Sequence, residues 1–118
     1  MIKDLWGSIE SFYARFNTMP SPLVQRRVFN EEAQEVLEAS IDLGWAEDAL
    51  DEDEHQDFRM SLAEEVADAI YTALGVAFAH GLSVGDVEGA IGMVIRKNAA
   101  KTTYTHYLAP DGKIRRIK

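Results

Sequence analysis

Asp57-Phe-Arg-Met-Ser-Leu-Ala-Glu-Glu-Val-Ala-Asp-Ala-Ile-Tyr-Thr-Ala-Leu-Gly-Val-Ala-Phe-Ala-His80 is the stretch that decides the fold. It is far too long for a strand, and Gly81 follows it as a C-terminal helix stop, so it predicts a helix over about Asp57 to His80. From Ala69 to Ala79 the segment is apolar on nearly every side, which predicts the central, most buried helix. Its first half carries acids instead: Glu64-Glu65-Val66-Ala67-Asp68.

Working toward the N-terminus, residues 45–56 hold six acids and no apolar periodicity, and predict a solvated loop with at most a helical turn near Ala46–Leu50. Before it, Ser21-Pro22 has the form of an N-cap followed by proline in the first helical position, and Gly44 the form of a stop. A helix from about Pro22 to Leu43 is therefore expected. Residues 2–16 place Ile2, Leu5, Trp6, Ile9, Phe12, Tyr13 and Phe16 at three- and four-residue spacing, one broad apolar stripe of a further helix. Trp6 and Phe12 are read as core, although an aromatic beside a ligand site also stacks on a flat ring.

Toward the C-terminus, Ser83 with Asp86 resembles a capping box and opens a fourth helix running to about Ala100. Gly85, Gly89 and Gly92 each weaken it by roughly 1 kcal/mol relative to alanine and suggest either close helix approach or a merely weak helix. Residues 102–118, with Thr103, Tyr104, Thr105 and Tyr107 and a Pro110-Asp111-Gly112 turn, predict a short hairpin or extended arm. The expectation is an all-α, four-helix bundle-like chain forming one domain over 1–118, with that small extended element at its end.

Bulk properties bound the function. There are 20 acidic and 12 basic residues, a formal charge of −8, which disfavours nucleic acid as the main partner. No cysteine is present, so disulfide and thiolate-metal chemistry are excluded, in keeping with a cytoplasmic protein. Met1 to Trp6 is charged and lacks a signal peptide's apolar core, and Ala69 to Ala79 is too short to span a bilayer, so no membrane association is expected.

The acids then carry the chemistry. Glu31-Glu32-Ala33-Gln34-Glu35 and Glu64-Glu65-Val66-Ala67-Asp68 each put two carboxylates three apart, on one helix face: Glu32 with Glu35, and Glu65 with Asp68. At roughly 100° per residue, Glu32 falls among Val28, Phe29, Val36 and Ala39, and Glu65 among Leu62, Ala69, Thr72 and Val76. Acids at such spacing are ordinarily solvated surface, as expected for Glu38 and Glu64; these two lie inside apolar arcs. Inward-facing carboxylates are costly unless a cation neutralises them. Oxygen-only donors favour Mg²⁺, or Mn²⁺ in its place, and such an ion accepts phosphate oxygens as further ligands. His55, His80 and His106 show no ligand spacing.

The order Glu-Glu-x-x-Glu (31–35) then Glu-x-x-Asp (65–68) resembles the signature of the all-α nucleoside triphosphate pyrophosphatase superfamily, the MazG-like and phosphoribosyl-ATP pyrophosphohydrolase-like enzymes. Arg27, Asp68-Ala-Ile-Tyr71, Gly81, Asn98 with Lys101, and Asp111-Gly-Lys-Ile114 extend the resemblance over roughly residues 8 to 116. It implies Glu32, Glu35, Glu65 and Asp68 as metal ligands and Glu31 as the residue that positions or deprotonates the attacking water. It further implies Lys97, Asn98 and Lys101 as phosphate or sugar contacts, though lysines at a helix C-terminus are also favoured by the macrodipole. The implied reaction is Mg²⁺-dependent cleavage of a (deoxy)nucleoside triphosphate to monophosphate and pyrophosphate, in a homodimer or dimer of dimers. A narrower enzyme for dUTP, dCTP or phosphoribosyl-ATP, and a non-catalytic helical module that binds nucleotide or a partner, are the alternatives. One departure stands out: residues 36 to 64, between the two motifs, form a long gap holding the acidic loop, suited to shaping a pocket or a subunit contact.

Overall fold

The computed structural model describes all 118 residues. Four helices, α1 (Ile2–Arg15), α2 (Pro22–Ala49), α3 (Gln56–Ala79) and α4 (Val84–Ala99), precede a two-stranded hairpin, β1 (His106–Leu108) and β2 (Ile114–Arg116). The chain divides into two compact units, Met1–Val84 and Gly85–Lys118.

In the first unit, Asn17 closes off α1 two residues past its end, its φ of 51° letting the amide of Thr18 reach back to the carbonyl of Tyr13. Ser21 then caps α2, its hydroxyl accepting from the amide of Val24 with Pro22 in the first turn. Gly81, at φ 81°, closes α3 in the same manner as Asn17, the Leu82 amide bonding the carbonyl of Ala77. α3 packs against both α1 and α2. It runs antiparallel to α2: Gln25 near the start of α2 meets Gly75 near the end of α3, and Trp45 meets Phe58 edge-on at the other end. Trp6, Ile9, Ala46 and Leu74 form the buried core.

Three expectations are corrected. The helix expected to stop at Gly44 continues through it to Ala49, and the loop contracts to the turns before His55. A glycine costs a helix only about 1 kcal/mol, and the complete burial of Ala46 with the Trp45–Phe58 contact outweighs that cost. Phe12 is 41% exposed rather than core, because α1 leans on α3 through Trp6, Ile9 and Tyr13. The apolar second half of α3 buries Leu74 and Gly75 but leaves Ile70 and Ala73 exposed, since neither α1 nor α2 covers that side.

In the second unit, α4 buries no residue. Within this unit a Cβ at Gly89 would meet open space and one at Gly92 only the guanidinium of Arg96. The hairpin is antiparallel, with His106 opposite Arg116 and Leu108 opposite Ile114. Its turn uses Gly112 at φ 85°, the amide of Lys113 donating to Asp111 and the Arg115 guanidinium pairing with the same carboxylate at 2.5 Å.

Candidate metal centre

Glu32 on α2 and Glu65 and Asp68 on α3 come together, one oxygen from each lying within 4.8 Å of the others. Each helix brings its acids to one face by its own period; the antiparallel packing of α2 on α3 brings the two faces together. Glu32 and Glu65 are half-buried, and the Oε2 atom of each is out of solvent without a hydrogen-bond partner. Asp68 and Glu35 are exposed, so each pair straddles the edge of the core instead of pointing wholly inward. Glu35 stands within hydrogen-bonding reach of both Glu32 and Glu65. Glu31 is exposed on the solvent side of Glu32 and close enough for its charge to be felt there.

Crowding shows in the proton affinities. Loss of solvent, then the neighbouring charges of Glu35, Asp68 and Glu31, raise the Glu32 carboxyl above the ordinary 4.5. Glu65 is raised above 4.5 first by the adjoining Glu35 carboxyl, with which it would share a proton, then by loss of solvent and by the charges of Glu35, Asp68 and Glu32. The ion pairs within Met1–Val84, Met1 with Asp4 and Arg59 with Glu47, leave this cluster without a protein cation. Orphaned, partly desolvated carboxylate oxygens converging within ligand distance are the donor set of a hard divalent cation, so the residues present fit one. An open pocket of about 380 Å³, lined by Glu35, Glu38, Asp42, Phe58 and Ser61, adjoins Glu65.

The raised carboxyls have a consequence for stability without metal. A carboxyl raised in the folded state holds more protons folded than unfolded, so stability falls as pH rises from about 4.5 through the raised values. Asp51 and Asp111, lowered by backbone and Arg115 contacts respectively, act oppositely, losing their contribution as pH falls below the ordinary 3.8. In chelator, Glu32→Gln is therefore expected to melt above the parent at pH 7 and level with it below pH ~4. Melting curves against pH check this; a variant less stable than the parent at pH 7 contradicts the crowding.

The remaining residues singled out by sequence lie in the second unit. Lys97 and Asn98 are exposed near the end of α4, and Lys101 is half-buried just beyond, its amide bonded to the carbonyl of Asn98. The sequence did not single out Gln25 or Tyr71 as lining a cavity. Their signal was present in the spacing: Gln25, Val28 and Glu32 share one stripe of α2, and Asp68, Tyr71, Thr72 and Gly75 one stripe of α3.

An all-helical scaffold with clustered acids on two antiparallel helices defines a class, the MazG-like fold. A family model described as phosphoribosyl-ATP pyrophosphohydrolase matches residues 10–93, and the chain belongs to that family. Among solved structures it is similar to the cyanophage S-2L MazG-like pyrophosphohydrolase bound to dGDP and three catalytic Mn²⁺ ions per active site. The two are 24% identical, with a TM-score of 0.58, over 100% of this chain and 98% of that one. That likeness is one of fold. No curated protein matches the sequence. No helix is long and apolar enough to cross a membrane.

Proposed function

We propose that this protein hydrolyses a nucleoside triphosphate between its α and β phosphates, releasing monophosphate and pyrophosphate with Mg²⁺ or, in its place, Mn²⁺. The observation that carries this reading is the pair of buried, orphaned oxygens of Glu32 and Glu65 beside Asp68. Membership of a pyrophosphohydrolase family supports it. A pure binding module gains nothing from carboxylates that repel one another at the edge of its core.

Glu32, Glu65 and Asp68, with Glu35 between the first two, would hold the metal. When bound, the metal polarises phosphate oxygens and acidifies water. Glu31, solvent-facing and adjacent in sequence to Glu32, accepts the proton of the attacking water on its carboxylate. Lys97, Asn98 and Lys101 take their role as phosphate or sugar contacts from sequence position within the pattern. Residues 1–118 act as one hydrolase domain, in the cytoplasm.

The test is pyrophosphate release from a panel of NTPs, dNTPs and phosphoribosyl-ATP with Mg²⁺ or Mn²⁺. The family description supports trying phosphoribosyl-ATP first among narrow substrates, and the dGDP in the phage enzyme's structure is a reason to try purine deoxynucleotides beside it. Glu31→Gln is expected to lower kcat by about 10²- to 10⁴-fold, the usual worth of a general base, with metal affinity retained. Parallel loss of metal binding would make Glu31 a ligand, and silence of the folded, metal-loaded parent across the panel would remove the reaction.

A homodimer or dimer of dimers accompanies this reading. Leu37, Ile41 and Trp45 on α2 are 57%, 72% and 60% exposed, and Val66 and Ile70 on α3 are also open to solvent. Apolar surface of this kind is ordinarily covered by a subunit. Light scattering should give a mass that is an even multiple of 13.2 kDa; a 13.2 kDa species at micromolar concentration would exclude the dimer.

A further inference from the structure

Val28 lies one helical turn before Glu32 on α2, and Thr72 one turn after Asp68 on α3. Between those turns and α1 lies a second cavity of about 260 Å³. Ile9, Phe12 and Val28 make its walls apolar, and no charged side chain lines it. Its polar groups are mainly two phenols, Tyr13 and Tyr71, and the carboxamide of Gln25.

Gln25 is the unusual residue. It is 7% exposed, and an amide buried among apolar groups is costly unless it is bonded. Its Nε2 donates to Tyr13 Oη, and its Oε1 lies where a Cβ on residue 75 would stand, at 2.6 Å. Gly75 therefore serves the side chain of Gln25, not a backbone conformation, since it sits inside α3 without a positive φ. A glycine inside a helix weakens it, by about 1 kcal/mol relative to alanine, and stability alone would favour an apolar side chain at 25 with alanine at 75. What the arrangement provides is a carboxamide fixed at the wall of an apolar cavity. The bond to Tyr13 uses one of two amide protons. Tyr13 stays protonated, its phenol raised above 10.0 by burial, so it keeps a donor of its own.

A flat group with apolar faces and a hydrogen-bonding edge fits such a cavity, and a phosphate does not. We propose that this cavity receives the nucleobase of the substrate and that Gln25, anchored by Tyr13 and admitted by Gly75, reads the base's hydrogen-bonding edge. This rests on the pyrophosphohydrolase reading, which places the phosphates at Glu32, Glu65 and Asp68, one turn away along the same helices.

The experiment is calorimetric titration of the full chain, in Mg²⁺, with the common nucleoside monophosphates and with ribose 5-phosphate, which lacks a base. The parent is expected to bind at least one nucleotide about tenfold or more tighter than ribose 5-phosphate. Gln25→Met, which keeps the volume and removes the hydrogen bonding, should compress the ranking of bases to within about threefold. Gly75→Ala pushes the carboxamide into the cavity and should weaken every nucleotide about tenfold, leaving ribose 5-phosphate and Mg²⁺ affinities unchanged. Should Gly75→Ala fail to fold, Gln25→Met carries the test. Equal affinity for nucleotides and ribose 5-phosphate, or an unaltered ranking in Gln25→Met, overturns the base subsite even if the parent releases pyrophosphate. Base-dependent binding that is lost in Gln25→Met supports the subsite even if no nucleotide is hydrolysed, in which case the reaction falls and the subsite stands.

Discussion

Asp68→Asn is expected to lose at least about 10²- to 10³-fold in pyrophosphate release, the scale of removing one preorganised electrostatic partner of a transition state. The amide has the size of the carboxylate but lacks its charge and offers a donor where a ligand oxygen is needed. Asp68 is exposed, so the substitution opens no hole in the core. It also removes one of the charges that raise Glu32 and Glu65. The metal-free variant should therefore melt no lower than the parent while turnover disappears. Structural damage would lower both together, so melting and activity measured on the same preparation separate the two causes. An Asp68→Asn enzyme with parental kcat would remove Asp68 from the site.

The second large effect is on stability. Glu32, Glu65 and Asp68 face each other without a protein cation, and a divalent ion that binds only the folded chain stabilises it by mass action. At a hundred times the dissociation constant this amounts to about 2.7 kcal/mol, or a rise in Tm of about 10 °C for a chain of this size. Protein concentration must be held constant, since an oligomer's Tm depends on it. Glu32→Gln should lose most of the rise, because it removes one of the two orphaned oxygens. An unchanged melting curve in millimolar Mg²⁺ and in millimolar Mn²⁺ would mean that solvent alone satisfies the cluster.

The degree to which these features were legible in the sequence follows the range of the forces involved. Helix ends governed by local chemistry were readable: Ser21-Pro22 starts α2, Gly81 ends α3, and Pro110-Asp111-Gly112 turns the hairpin. Gly44 misled because the same residue stops a helix or merely weakens it, and burial of Ala46 against other elements decided which. Phe12 misled for a related reason. A helical stripe says which residues share a face, and the angle at which α1 meets α3 says how much of that face is covered.

The same division holds for the site. The sequence by itself determined that Glu32 shares a face with Glu35 and Glu65 with Asp68, because residues three apart on a helix are neighbours whatever surrounds them. Only the tertiary structure decided that oxygens of Glu32, Glu65 and Asp68 lie within 4.8 Å of one another, and that Gln25 fills the space left by Gly75. The contacts between the two helices join residues more than thirty positions apart. They depend on the register of α2 against α3, which is settled by packing rather than by backbone hydrogen bonds within either helix.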